Sequence, residues 1–252
     1  MIDIEGVSKF FGANKVVKDV TTSLPNGGVT ALIGPNGAGK STLLALMSRL
    51  ESMDSGSVTV GGLDIAGTPS SEVAKTLAIL RQENHLSMRL TVRDLVAFGR
   101  FPHSGGRPTL VDLEAVETAM SQLDILGFAD KYVDELSGGQ RQRAFIAMVL
   151  AQDTQYLLLD EPLNNLDMKH SVEMMRLIRS LADDHGKTVV VVLHDINFAS
   201  SYADTIVAMK DGSLIHQGTP HEIMQAEVLR DIYEIDIRVE EIDGYRLGLY
   251  FR

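Results

Sequence analysis

The chain has 252 residues, 23 basic against 34 acidic side chains, a formal charge of −11 and no cysteine. That length holds one large domain or two small ones, each able to bury a hydrophobic core, and the absence of cysteine excludes disulfides, thiolate metal sites and cysteine nucleophiles. A net acidic chain does not wrap a nucleic-acid backbone, which needs clustered Lys and Arg, so no nucleic-acid partner is expected.

The opening Met1-Ile2-Asp3-Ile4-Glu5 lacks a basic segment followed by an apolar run, which predicts a cytoplasmic location rather than secretion. Ile2 to Phe11, Val16 to Leu24 and Val29 to Ile33 read as strands separated by turns at Gly12-Ala13-Asn14 and Asn26-Gly27-Gly28. Ser41 to Leu50 has a helical pattern, Ser57 to Ile65 a hairpin pattern around Gly61-Gly62, and Leu77 to Arg81 that of a short strand. Thr91 caps a predicted helix running through Phe98, with Asp94 in its first turn; Gly99 to Pro108 is expected to be a surface loop. Val111 to Leu126 spaces Leu113, Val116, Met120, Leu123 and Leu126 as a helix does, and Arg141 to Ala151 reads as a helix capped by Ser137. Its apolar run, Ala144 to Ala151, is the longest in the chain and far below the roughly 20 residues of a membrane span.

Alternation of strand and helix then resumes, with Tyr156 to Leu159, a helix around Lys169 to His185, and Val189 to Leu193. Apolar strands of this kind point to a parallel sheet covered on both faces. Ile206 to Lys210 and Ser213 to Gln217 flank Asp211-Gly212, a hairpin signal. Thr219-Pro220-His221-Glu222 reads as a helix start with a capping box, and Val239 to Ile242 with Tyr245 to Phe251 as a closing hairpin around Asp243-Gly244.

Gly34-Pro35-Asn36-Gly37-Ala38-Gly39-Lys40-Ser41 fits G-x-x-x-x-G-K-[ST] and stands between a strand and a helix, the context that confirms a phosphate loop. Its glycines let backbone N–H groups converge on phosphate, Lys40 bridges the outer phosphates, and Ser41 can hold Mg²⁺. Other strands run into Gln82, Asp160-Glu161 and His194-Asp195. In an open parallel sheet, ligands bind at the carboxyl ends of strands, so these groups are expected around one nucleotide. Asp160 is placed to hold Mg²⁺ and Glu161 to act as general base on a water attacking the outermost phosphate. Ser137-Gly138-Gly139-Gln140 is locally only an N-cap. A second phosphate-type site beside one full nucleotide site nevertheless suggests that one copy completes the site of another, in a head-to-tail dimer.

Gly34 to Thr42, Gln82, Leu136 to Gln140, Tyr156 to Glu161, Asp167 and His194, in this order, resemble the ATP-binding subunit of an ABC transporter. The resemblance implies an α/β P-loop NTPase fold: a parallel-sheet core, an N-terminal antiparallel β portion and an inserted helical subdomain. It implies one ATPase domain over 1–252, with 1–87 and 153–252 as nucleotide-binding core and 88–152 as helical subdomain. Two copies would sandwich ATP and Mg²⁺ at the cytoplasmic face of the membrane, peripheral to two permease subunits served by a substrate-binding protein. On the family pattern Phe11 stacks on adenine, Val16 lines that pocket, and Ser137, Gly138, Gly139 and Gln140 reach the γ-phosphate bound to the other copy. Gln82 senses Mg²⁺ and the attacking water, His194 stabilises the transition state, and Asp167 links the two sites. Phe11 stands where tyrosine is frequent, and Asn164-Asn165 is a less common variant.

The loop Gly99-Arg100-Phe101-Pro102-His103 is similar to that of importers for iron-siderophore, haem and cobalamin, and Asn164 to His170 resembles the siderophore members. A permease helix is expected in a groove near Gln82 to Phe98, against Leu86, Met88 and Leu90. Haem or cobalamin import, and a soluble ATPase switch of the same superfamily, remain the alternatives.

Overall fold

The computed structural model describes residues 1–82, 88–164 and 166–250. Strands β1 (Ile2–Phe11), β2 (Asn14–Leu24) and β3 (Gly28–Ile33) lead into α1 (Lys40–Met47), β4 (Ser55–Val60), β5 (Leu63–Asp64), α2 (Ser70–Thr76) and β6 (Leu77–Leu80). Four helices follow: α3 (Val92–Phe98), α4 (Phe101–Ser104), α5 (Leu110–Gln122) and α6 (Gly138–Ala151). The chain continues through β7 (Tyr156–Asp160), α7 (Met168–Asp183), β8 (Thr188–Val192), α8 (Ile196–Tyr202), β9 (Thr205–Lys210) and β10 (Ser213–Gly218). It closes with α9 (Pro220–Ile223), α10 (Ala226–Tyr233), β11 (Arg238–Ile242) and β12 (Tyr245–Leu249).

Two large sheets and a two-stranded one, β11-β12, organise these elements. An antiparallel sheet runs β2-β1-β4-β5, and a second runs β10-β9-β3-β8-β7-β6, parallel from β9 to β6 with β10 antiparallel at its edge. The parallel strands are predominantly apolar because both faces are covered. Ala31, Ile33, Leu157, Leu159, Val189 and Val191 point into a core shared with α3, α5, α6 and α7. Their alternates Leu32, Leu158, Val190 and Val192 point the other way, against Ile4, Val20 and Val58 of the antiparallel sheet and Leu43 of α1. Leu32, Val192 and Asp160 lie abreast, and Leu80 lies opposite Leu159. This register brings the carboxyl ends of β3, β6, β7 and β8 to a single edge.

Several local expectations change. Gly99 to Pro108 is a loop only in part: α4 forms there because Arg100 is drawn inward, its Nε donating to Asp112 at 2.9 Å and a guanidinium N–H to the Ala151 carbonyl at 2.9 Å. The helix predicted over Ser41 to Leu50 ends at Met47, since Arg49 takes a left-handed φ of 58°. The Val111 to Leu126 helix stops at Gln122, Asp124 turns to φ 52°, and Leu126 falls in a separate short turn. Helix α9 lasts one turn. Three helices, α2, α8 and α10, were not expected. Of the sequence readings, Leu86, Asn165 and the end of the final hairpin at Phe251 lie outside the described residues.

The closing hairpin β11–β12 packs on α8. The Asn197 side chain pairs with the backbone of Gly248, accepting from its N–H at 2.7 Å, while Ser200 Oγ donates to the Arg246 carbonyl at 2.6 Å.

Candidate nucleotide site

The loop between β3 and α1 needs glycine for geometric reasons. Gly34 has φ 138°, Gly37 79° and Gly39 94°, values that side chains disfavour. A Cβ on Gly34 would stand 2.0 Å from the Met209 carbonyl oxygen, so the loop is pressed against the end of β9. Asn36, Gly37, Ala38, Gly39, Lys40, Ser41 and Thr42 line a cavity of about 350 Å³ together with Val16, Gln82, Glu161 and His194. Residues separated by up to 178 positions in the chain thus share one cavity, Gln82, Glu161 and His194 of the strand ends among them, whereas Asp160 does not line it and Asp195 caps α8, its Oδ1 accepting from the Asn197 amide at 2.8 Å.

Lys40 is almost wholly buried, and its Nζ donates to the carbonyls of Gly34 at 2.8 Å and Pro35 at 2.9 Å. Burial pulls its ammonium below the usual lysine range, and the carboxylates of Glu161 and Asp160 oppose that shift. Ser41 Oγ donates to Asp160 Oδ1 at 2.9 Å. Burial pushes the Asp160 carboxyl above its ordinary value, the Ser41 bond working against it. A hydroxyl and a carboxylate in contact at the end of a phosphate loop are hard oxygen donors of the kind Mg²⁺ takes, so these two residues fit the ion.

Glu161 follows Asp160 with a left-handed φ of 49° and is nine-tenths buried. Its Oε1 lies 2.6 Å from His194 Nε2, and its Oε2 accepts from Gln82 Nε2 at 2.6 Å and Asn164 Nδ2 at 2.5 Å. The last of these contacts was not anticipated from sequence, although Asn164 lies only three residues downstream. Nor was Tyr233, whose phenol is packed beside Gly34; burial raises it well above the usual tyrosine range, the Gly34 amide opposing. No local signal connects α10 to the phosphate loop.

Phe11 is placed differently from Val16. It is half-exposed, with Lys9 Nζ 5.3 Å from its ring centre, and lines an adjoining cavity of about 310 Å³ that shares Ser41, Thr42 and Gln82 with the first.

The other glycine-rich cap forms its own site. Ser137 Oγ accepts from the Gln140 backbone N–H at 3.4 Å, and Gln140 Oε1 accepts from the Ser137 backbone N–H at 3.1 Å. Ser137, Gly138, Gly139 and Gln140 line a separate cavity of about 540 Å³ with Arg143, Asp167 and His170. Asp167 caps α7 by accepting from the His170 amide at 2.8 Å, which lowers its carboxyl. Within one chain this cavity shares no residue with the phosphate-loop cavity.

On the helical side, Leu90, Phe98, Phe101, Leu113 and Val116 line an apolar groove of about 330 Å³. Met88 is 61% exposed. No helix among the described residues is long and apolar enough to cross a membrane.

A phosphate loop at the carboxyl edge of a parallel sheet, faced by strand-end carboxylates, defines a P-loop nucleoside triphosphatase. The additional capped cavity narrows that class. The profile of the ABC transporter family matches residues 17–164, and the chain belongs to this family, among its ATP-binding, ATP-hydrolysing subunits. It is 51% identical over 251 residues, all of both chains, to the petrobactin import ATP-binding protein YclP of Bacillus subtilis (strain 168). It is 50% identical, over 97% of each chain, to the petrobactin import ATP-binding protein FatE of Bacillus anthracis. Among solved structures, the ATP-binding cassette MJ0796, seen as a dimer and in a post-hydrolysis state with ADP and Pi, superposes with a TM-score of 0.79. It shares 28% identity with this chain and covers 87% of it and 99% of its own length.

Proposed function

We propose that this chain hydrolyses ATP to power import of a ferric-siderophore-type iron complex through two membrane subunits, with a substrate-binding protein delivering the cargo. The observation that carries the chemistry is the Glu161 carboxylate, held by Gln82 and Asn164 and against His194, in the same cavity as the phosphate loop. The cargo class rests on full-length similarity to petrobactin-import subunits.

In this reading the amides of Asn36 to Ser41 bind the phosphates of ATP, and Lys40 leaves the Gly34 and Pro35 carbonyls to bridge the outer two. Thr42 meets the inner phosphate, Phe11 swings to stack on adenine, and Val16 lines its edge. Mg²⁺ would be held by Ser41 and Asp160, with Gln82 nearby, and supplies charge neutralisation on the phosphate oxygens when bound. Glu161 takes a proton from the attacking water; the water oxygen bonds to the γ-phosphorus as the bond to the β-phosphate oxygen breaks, leaving ADP and phosphate. His194 stabilises the charge that develops on the γ-phosphate.

The cavity lined by Ser137 to Gln140 completes the site of a second copy: these residues reach its γ-phosphate, and Asp167 joins the two sites. This arrangement is a head-to-tail homodimer in which segment 88–152 acts as a helical subdomain of a single ATPase domain. The groove lined by Leu90, Phe98 and Phe101 accepts a permease helix, which holds the protein at the cytoplasmic face of the membrane.

The test is turnover of Glu161→Gln in the complex with the permease. The expected loss is roughly 10²–10⁴-fold with ATP binding intact; unchanged turnover refutes the base. Stimulation of the wild-type complex by a ferric-siderophore-loaded binding protein supports the cargo class, and stimulation only by haem or cobalamin overturns it.

A further inference from the structure

Three donors converge on Glu161, and they are not equivalent. Gln82 follows β6 and His194 follows β8, and both line the cavity that takes the nucleotide. In the reaction above, each has work to do on water or phosphate. Asn164 does not line that cavity. It sits in the same turn as Glu161, its backbone N–H donating to the Glu161 carbonyl at 3.2 Å while its side chain donates to Oε2 at 2.5 Å. A carboxylate only accepts, so the amide nitrogen is the atom that faces it.

The turn is fastened from outside as well. Gln142 of α6 donates Nε2 to the Pro162 carbonyl at 3.1 Å. At φ 49° the Glu161 backbone occupies a region that persists in a non-glycine residue only where surrounding contacts over-determine it. The direction of the carboxylate therefore depends on bonds made within this turn, and Asn164 makes the one that reaches the carboxylate itself.

From this geometry we infer that Asn164 is a positioning residue for the general base: its amide pins Oε2 of Glu161 while Gln82 and His194 turn toward nucleotide and water. The inference rests on Glu161 being the base. Asn164 travels with Glu161 because both belong to one turn, so the bond survives rearrangement of the neighbouring strand ends. It also ties the base, through Pro162 and Gln142, to the helix that begins with Gly138-Gly139-Gln140.

The deciding variant is Asn164→Asp, which keeps shape and turn preference and replaces the donor with an acceptor. Full-length Asn164→Asp, Asn164→Ala and Glu161→Gln are compared with wild type in the permease complex, measuring kcat and KM for ATP, with Tm as a check on folding. Loss of one hydrogen bond to a charged group predicts a fall in kcat of about tenfold to a hundredfold in Asn164→Asp and Asn164→Ala, with KM changed by no more than about twofold. A residue that only builds the turn would leave Asn164→Asp near wild type. If Asn164→Asp keeps kcat within about twofold while Glu161→Gln has lost turnover, the positioning role is wrong and the base stands. If Glu161→Gln itself turns over normally, the base reading falls and Asn164 falls with it.

Discussion

Replacing Gly34 by alanine tests how tightly the phosphate loop is built into the sheet. At φ 138° the backbone lies where an L side chain is strained, and the new Cβ would stand 2.0 Å from the Met209 carbonyl oxygen. Met209 is buried and paired within the β9–β10 ladder, so it cannot retreat without opening that ladder. The backbone strain costs about 1–3 kcal/mol, and disturbing one ladder bond costs about 1 kcal/mol more, a total of about 2–4 kcal/mol. For a chain of this length the unfolding entropy converts 1 kcal/mol into about 2 °C, so Tm should fall by about 4–8 °C in calorimetry. ATP affinity should fall as well, because the loop starts at Gly34. Gly12→Ala is the internal control: its φ is 61° but a Cβ there meets nothing within 4 Å. It should lose only about 1–2 kcal/mol, or about 2–4 °C. A Gly34→Ala protein that melts with wild type, or no lower than Gly12→Ala, would refute the steric reasoning.

Asp112 is held at about 2, below its ordinary 3.8, first by the Thr109 amide, then by the Thr109 hydroxyl and Arg100. A depressed carboxyl stabilises the fold above its unfolded value and loses that contribution as pH falls through the folded one. The Tm gap between wild type and Asp112→Asn should therefore be full above pH about 4 and shrink toward pH about 2; a constant gap in pH-dependent melts would argue against it. Phe101 is 59% exposed at the rim of the apolar groove, so Phe101→Asp should leave Tm within about 1–2 °C of wild type. The same change should weaken permease association at least about tenfold in co-purification titrations. Undiminished association would move the docking surface elsewhere.

Much of this protein is legible in one dimension. The phosphate loop can be read because its glycines, Lys40 and Ser41 are contiguous, and the caps at Thr91, Ser137 and Thr219 because a capping box pairs residues only three positions apart. The parallel strands announce themselves as apolar runs, and polar residues at their ends mark Gln82, Asp160, Glu161 and His194. Such features are local: a few adjacent residues satisfy their own geometry, and their spacing along the chain survives into the fold.

Tertiary structure alone decided the rest. Hydrophobic pattern shows that β3 is buried on both faces but not that β8 and β9 flank it, a choice made by which faces are left to cover. Arg100 reads as part of a polar loop until Asp112 and the end of α6 draw it inward and fold α4. Tyr233 reaches Gly34 across 199 positions, and the last hairpin fastens to α8 through the backbone of Gly248, which carries no side-chain signal. Asn164 was near enough in sequence to suspect, yet its aim at Glu161 depends on a left-handed turn that only the packed sheet edge and α6 hold in place. Spacing encodes what a segment can become, whereas partner choice depends on burial and on hydrogen bonds summed over the whole chain.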